Sequence, residues 1–358
     1  MIVAASLAVA GAGGVWLFRS FTRPFPTAGP RIYTARTILT MDPARPRAEA
    51  VAVDAGRIVA VGNLDDVRRQ TEALAPVIDE RFAADVLIAG FIDPHLHPTL
   101  AATILPLEIV SAVAWNTPRG RTKAVRTPDE FRARLRELDA RIPAGEWLLV
   151  WGYHELYHGA LSRADLDGIS TARPILVWQR SVHEMYFNTP GLERLGLTEQ
   201  EFAAEPQSDW QTGHVWEAGL FNLAKPMMNI LAAPATYRRG LRMMREVIHR
   251  GGLTTVGEQG FPQISGVGEW LMLQLEMSRD DTPFRFALVP NAMYLLREAG
   301  TAAAAERAAA GWLDWSTERV RIVRHAKYYA DGAAFSQLMQ LSQPYLDGHH
   351  GEGMMAPG

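Results

Sequence analysis

The chain has 358 residues, 48% of them apolar and 21% charged, an ordinary balance for a globular protein with a buried core. A net charge of −3 excludes a general nucleic-acid binder, because no excess of Lys and Arg is present to neutralise phosphates. The absence of cysteine excludes disulfides, zinc–thiolate sites and thiol nucleophiles, so any metal must be held by His, Asp, Glu or a modified Lys.

Residues 2–18 carry no charge and are followed at once by Arg19 and Arg23. A run of this length is at the lower edge for a membrane span. It suits either a cleaved export signal or a membrane anchor, which places the protein outside the cytoplasm or on a membrane. Pro24, Pro26 and Pro30 make a linker, so residues 1–30 stand apart from the fold. Arg31 to Asp42 alternates and ends in a turn. Residues 48–62 hold two short strands joined by a hairpin at Asp54-Ala55-Gly56. Asn63 caps a short helix, and Val77 to Phe82 is a further strand. Residues 31–82 thus form a small β unit.

From Val86 the chain runs as a short apolar stretch closed by Gly90 and Pro94, which reads as a buried strand. The strand delivers His95 and His97. Side chains at i and i+2 point to one face of a strand, so two imidazoles stand side by side with Asp93 on the same face. Neutral imidazole is the commonest metal ligand among side chains. A bare HxH pair arises often by chance, but at the end of such a strand it reads as a pair of metal ligands.

The segments TILTMDPARPRAEAVAVDAGRIVAVG (from Thr37) and IAGFIDPHLHP (from Ile88) together resemble the metal-dependent amidohydrolase superfamily, in particular its amidohydrolase-3 branch. The resemblance implies an α/β fold. A small β-sandwich segment over residues 31–82 would precede a TIM-barrel-type (β/α)8 domain over 83–358, with an inserted substrate-covering region at about 100–235.

Thr127 caps an amphipathic helix running to Arg141, and Glu146 to Gly152 is a strand. Then His154-Glu155-Leu156-Tyr157-His158 matches the HExxH of zinc-protease helices, where the two histidines share a helix face. Gly159 leaves room for only a fragment of helix. The preferred reading is pocket wall or surface, with a zinc protease as the alternative. Leu161 to Asp167 is a capped helix and Pro174 to Trp178 a buried strand. By resemblance His183 and Asn188 lie near the substrate, with a hydrogen-bonded structural imidazole the other reading of His183. Glu217 is a pocket residue on the same basis. Trp115, Trp151, Tyr153, Trp178, Tyr186 and Trp216 suggest a sizeable, partly apolar substrate, or equally packing.

Thr236 to Arg250 is a helix with basic residues at its C-terminal end, as the helix dipole favours. Gly252 to Gly260 is a buried strand ending in the carboxylate of Glu258, and Phe284 to Pro290 is the next strand. Ala302 to Ala310 is an Ala-rich helix. The run from Val320 to Ala333 resembles the family's VKIFADGA strand, in which a carboxylated lysine bridges two metals. Lys327 would be that bridge, sharing one strand face with Tyr329 and Asp331. The resemblance implies one or two divalent ions, most simply zinc, and a small-molecule substrate cleaved at a non-peptide C–N bond by metal-activated water. The site residues expected are His95, His97 and Lys327 for metal, and His183, Glu217, Glu258 and Asp331 for substrate. Two further histidines and a general-base Asp belong to later strands. After Lys327 only His349 and His350 follow, in a Gly-rich loop. The chain therefore reads as the first part of a truncated barrel with little or no turnover alone, or as a non-catalytic relic of the fold. Oligomeric state is not legible.

Overall fold

A computed structural model of the chain describes residues 28–331 and 337–346. Three sheets carry the architecture, a mixed α/β fold. The first contains β1 (Arg31–Leu39), β2 (Arg47–Asp54), β3 (Arg57–Gly62) and β4 (Val77–Ile88) in the order β3-β2-β1-β4. Asp54 pairs with Arg57, leaving a two-residue turn in which Ala55 and Gly56 both take positive φ, 48° and 75°. That is the backbone a tight hairpin with right-handed strand twist demands. Asn63 caps α1 (Leu64–Thr71) by accepting from the Asp66 amide at 2.8 Å, and Val67 on that helix joins Ile32, Ala50, Ala52 and Ala60 in a small core. Strand β4 extends well past Phe82, because β1 continues to pair with it as far as Ile88.

After a two-residue break, β5 (Phe91–Leu96) runs straight into α2 (Pro98–Ile104), with Pro98 at the helix start where its missing N–H costs nothing. A six-stranded sheet follows: β6 (Glu108–Ile109), β7 (Leu148–Tyr153), β8 (Ile175–Gln179), β9 (Glu184–Phe187), β10 (Ser208–Asp209) and β11 (His214–Trp216), ordered β10-β11-β9-β8-β7-β6. Helix α3 (Pro128–Arg141) packs Phe131, Leu135 and Leu138 onto one face, against Leu148, Val150, Ile175 and Val177. Alternate residues Trp151, Leu176, Trp178, Met185 and Phe187 fill a second core on the other face. Burial on both faces explains why β7 and β8 read as unbroken apolar runs.

The third sheet holds the histidine strand. Helix α4 (Pro234–Arg250), β12 (Leu253–Phe261), α5 (Gly266–Met277), β13 (Arg285–Pro290), α6 (Ala292–Ala299), α7 (Ala302–Trp312) and β14 (Val320–Ile322) follow in βα alternation. The strands order β14-β13-β12-β5, all parallel, so β5 and β14 are the two edges. Among the described residues this sheet does not close into a barrel. Helices α2 and α4 approach so tightly that a Cβ on Gly240 would lie 1.8 Å from the Ala102 carbonyl oxygen. No helix among the described residues is long and apolar enough to cross a membrane, and the apolar run at 2–18 lies outside them.

Two strand expectations need correction. The histidine strand is not buried: Ile92 is 69% exposed, and Val86, Ile88 and Phe91 are also exposed. Its only strand neighbour is β12, and its other edge meets no strand among the described residues. The strand expected from Val320 to Ala333 lasts only to Ile322. Beyond it, Val323 donates to the Leu288 carbonyl at 3.0 Å and Lys327 to the Pro290 carbonyl at 2.8 Å. Four residues thus advance along two of β13, and Arg324, His325 and Ala326 bulge out of the ladder. Among the described residues this edge has a strand partner on one side only, which leaves these three residues outside the ladder.

Candidate functional site

His95 and His97 stand at the C-terminal end of β5 with ring centroids 5.4 Å apart and planes nearly perpendicular. The alternation of the strand puts both on one side, while Leu96 between them packs into the core beneath α2 and α4. Asp93 lies close enough for its charge to act on the His95 ring. Its carboxylate accepts from the His95 backbone N–H at 3.0 Å, a local turn that fixes the strand end.

Glu258 is brought to the same place by β12, which pairs Glu258 with Leu96. Close approach of the two strands depends on Gly257, where a Cβ would sit 2.4 Å from the Pro94 carbonyl oxygen. The Glu258 side chain is fully buried. One of its oxygens accepts from both the amide and the hydroxyl of Thr99 at 2.8 Å, and the other lies 3.3 Å from Nδ1 of His97. Glu258, expected as a substrate contact, ties the start of α2 to the His97 ring. Thr99 was not expected at all, although its place two residues past His97, at the opening of a helix, marks an amide in need of an acceptor.

Lys327 enters from the far edge of the sheet. The bulge after β14 returns it to register opposite Asn291, and its carbonyl accepts from the Ala292 amide at 2.9 Å. Its ammonium lies 5.2 Å from the Tyr329 ring centre. Partial desolvation by neighbouring atoms, the adjacent His97 ring and the Lys327 charge, in that order, hold the His95 imidazole below its ordinary pKa, which favours the neutral ring with a lone pair to donate. Burial, assisted by the charge of Glu258, raises the Tyr329 phenol, so it stays protonated as a donor. Asp331 accepts from the Gln340 amide at 2.7 Å.

His183 and Glu217 form a separate pair on the six-stranded sheet. The His183 Nδ1 lies 3.0 and 3.1 Å from the two Glu217 oxygens, and the Glu217 amide donates to the His183 carbonyl at 3.0 Å. Glu217 itself and Val182, next to His183, take positive φ of 42° and 67°, conformations that cost energy for residues other than glycine. No hydrogen bond or ring contact among the described residues links this pair to His95 and His97. Asn188 is structural: its side chain accepts from the Ile175 and Gly191 amides and donates to the Ser170 and Arg173 carbonyls.

The HExxH stretch carries no metal site. His158 is buried and stacked on Phe131 with centroids 4.6 Å apart. Its Nδ1 accepts from the His154 amide at 2.9 Å and its Nε2 lies 2.9 Å from the Val125 carbonyl, so both ring nitrogens are spent. The aromatics expected around a substrate are largely core: Trp151, Tyr153, Trp178 and Tyr186 are buried.

The donors gathered at the sheet end suit a divalent ion in part. Neither ring nitrogen of His95 meets a hydrogen-bond partner among the described residues, and the Nε2 of His97 lies opposite the nitrogen that Glu258 occupies. The two imidazoles are nitrogen donors of the kind such ions accept, whereas the lysine, whose charge acts on His95, offers a donor only once carboxylated, and then through oxygen. Among the described residues no three His, Asp or Glu side chains gather closely enough to complete a set. His349 and His350 lie outside those residues.

Comparison with known proteins bears on this arrangement. A model of the amidohydrolase family matches residues 85–357. The chain is 28% identical over 166 residues to the exoenzymes regulatory protein AepA of Pectobacterium carotovorum subsp. carotovorum, covering 45% of this chain and 33% of that one. It is 27% identical over 190 residues to an N-substituted formamide deformylase of Arthrobacter pascens, covering 51% and 33%. The match thus spans about a third of the length of these relatives. In structure the chain is similar to an uncharacterised metal-dependent hydrolase from Pyrococcus horikoshii (TM-score 0.62, 17% identity, 91% of this chain and 60% of that one). A second, from Pyrococcus furiosus, gives a TM-score of 0.56 at 18% identity, over 90% and 61%.

Proposed function

The chain belongs to the amidohydrolase family, and on that premise we propose that it is a metal-dependent hydrolase of small molecules, acting on non-peptide C–N bonds. The observation that carries the reading is the pair His95 and His97 at a strand end, one imidazole kept neutral by its surroundings and the other backed by a buried carboxylate. His95 and His97 would hold the ion, and Lys327, once carboxylated, would bridge it to a second. Zinc suits nitrogen donors of this kind. Bound there, it would supply a Lewis acid for the substrate carbonyl and lower the pKa of a water.

The chain's own residues prepare the site. Gly257 lets β5 and β12 lie close enough for Glu258 to reach His97. Tyr329 keeps a phenolic proton available beside Lys327. In the architecture we propose, the four-stranded parallel sheet is part of a (β/α)8 barrel, in which the C-terminal strand ends carry the chemistry. The named activity of the Arthrobacter relative makes N-substituted formamides the substrates to try first. Formate release by the zinc-loaded chain, even at the low turnover the sequence leads one to expect, and its absence in His97→Ala would support the assignment. Zinc titration by calorimetry tests its first step, and a wild-type chain that binds no zinc refutes it.

A further inference from the structure

Glu258 takes no direct part in the proposed function, yet it is a fully buried carboxylate whose contacts come from α2 and the residue that precedes it. An ionised carboxylate can only accept hydrogen bonds. One oxygen is saturated by the amide and hydroxyl of Thr99 at 2.8 Å. The other faces Nδ1 of His97 at 3.3 Å, so the proton in that contact has to sit on the ring. A neutral imidazole carries one proton, and placing it on Nδ1 leaves the lone pair on Nε2.

We infer that Glu258 is a positioning residue that locks His97 in its Nδ1–H tautomer and thereby makes Nε2 the ligating atom. This rests on the proposed metal role of His97, but the tautomer itself can be read without metal. Partners of this kind orient ligand rings throughout metalloproteins, and losing one weakens metal binding by about 10- to 100-fold. The same carboxylate ties the first turn of α2 to β12, so ring orientation and helix docking depend on one side chain.

The amide variant separates the two roles. In Glu258→Gln the single carbonyl oxygen has to face the Thr99 amide, which can only donate. The NH2 group is then left facing His97 and donates to Nδ1, which becomes an acceptor. The ring proton moves to Nε2 and the ligand lone pair is lost, while α2 stays anchored. The test is long-range 1H–15N NMR of the metal-free full chain, with the His97 signals assigned by their loss in His97→Gln. Expected are an Nδ1–H ring in the wild type and an Nε2–H ring in Glu258→Gln, with a melting temperature changed by less than about 4 °C. A wild-type ring protonated on Nε2, or an unchanged tautomer in the variant, overturns the inference. Zinc titration of both proteins completes it. Weakening by about 10-fold or more in the variant is the expected result, and equal affinity despite a switched tautomer contradicts the role assigned to Nε2. A tautomer switch in a protein whose wild type binds no zinc leaves the positioning role standing and removes the metal reading alone.

Discussion

Two pairs of histidines stand in motifs of similar promise, and the structure treats them oppositely. His154 and His158 have the spacing and the intervening Glu of a zinc-protease helix, but His158 is sealed against Phe131 with both ring nitrogens occupied by the backbone. His95 and His97 have a shorter and less distinctive motif. They stand at an exposed strand end, and His97 has one nitrogen engaged by a carboxylate. The two pairs differ in the number of ring nitrogens left uncommitted, which a ligand needs and which no spacing records. One imidazole holds a fold together, and the other pair is held by a fold.

Each expectation that follows can break that contrast. The largest effect falls on His158. Replacing it with Ala removes a stacked ring and leaves the Val125 carbonyl and the His154 amide without partners, at a cost of about 3 kcal/mol in denaturant unfolding. Metal content of the folded fraction is expected to stay at the wild-type level. Next is Gly257→Ala, in which the added methyl meets the Pro94 carbonyl and pushes the histidine strand away from β12. A loss of about 2 kcal/mol is expected, together with weaker zinc binding, because Glu258 no longer reaches His97. Zinc affinity equal to wild type would show that the close approach of β5 and β12 has no part in the site.

A pH series sharpens the same contrast. Burial lowers the pKa of His158 from an ordinary 6.5, so the unfolded chain takes up its proton before the folded chain does. Stability is then fully present above that value and falls as pH drops through it. Unfolding by urea at about pH 7.5 and about pH 5.5 should show this decline, and it should be shallower in His158→Gln. An equal decline in both proteins would mean that the ring is solvated. The smallest effect is at His95. It is exposed, so His95→Ala should change stability by less than about 0.5 kcal/mol.

Much of the fold was legible before any coordinates. The Ala55-Gly56 turn, the Asn63 and Thr127 caps and the apolar runs of β7 and β8 follow from local chemistry, and the structure has them. The exposure of Ile92 was not legible, because an apolar run records what a strand can bury and not whether a neighbour arrives to bury it. The bulge before Lys327 was hidden for a similar reason, since register depends on the partner strand. At the candidate site, the side-by-side placing of His95 and His97 could be named from their alternation. The bond between Glu258 and Thr99 joins residues more than a hundred positions apart, and only the pairing of β5 with β12 brings them together. Of the two readings left open for the tryptophans, packing holds for Trp151 and Trp178, which fill a core that composition alone cannot tell from a pocket.

The central claim is that the exposed pair, and not the HExxH pair, holds the metal. Metal analysis of four purified proteins tests it most directly: wild type, His95→Ala, His97→Ala and His154→Ala, each loaded with zinc and dialysed. The account expects zinc to be kept by the wild type and by His154→Ala, and lost from His95→Ala and His97→Ala. Zinc kept by His97→Ala, or lost from His154→Ala, would contradict it.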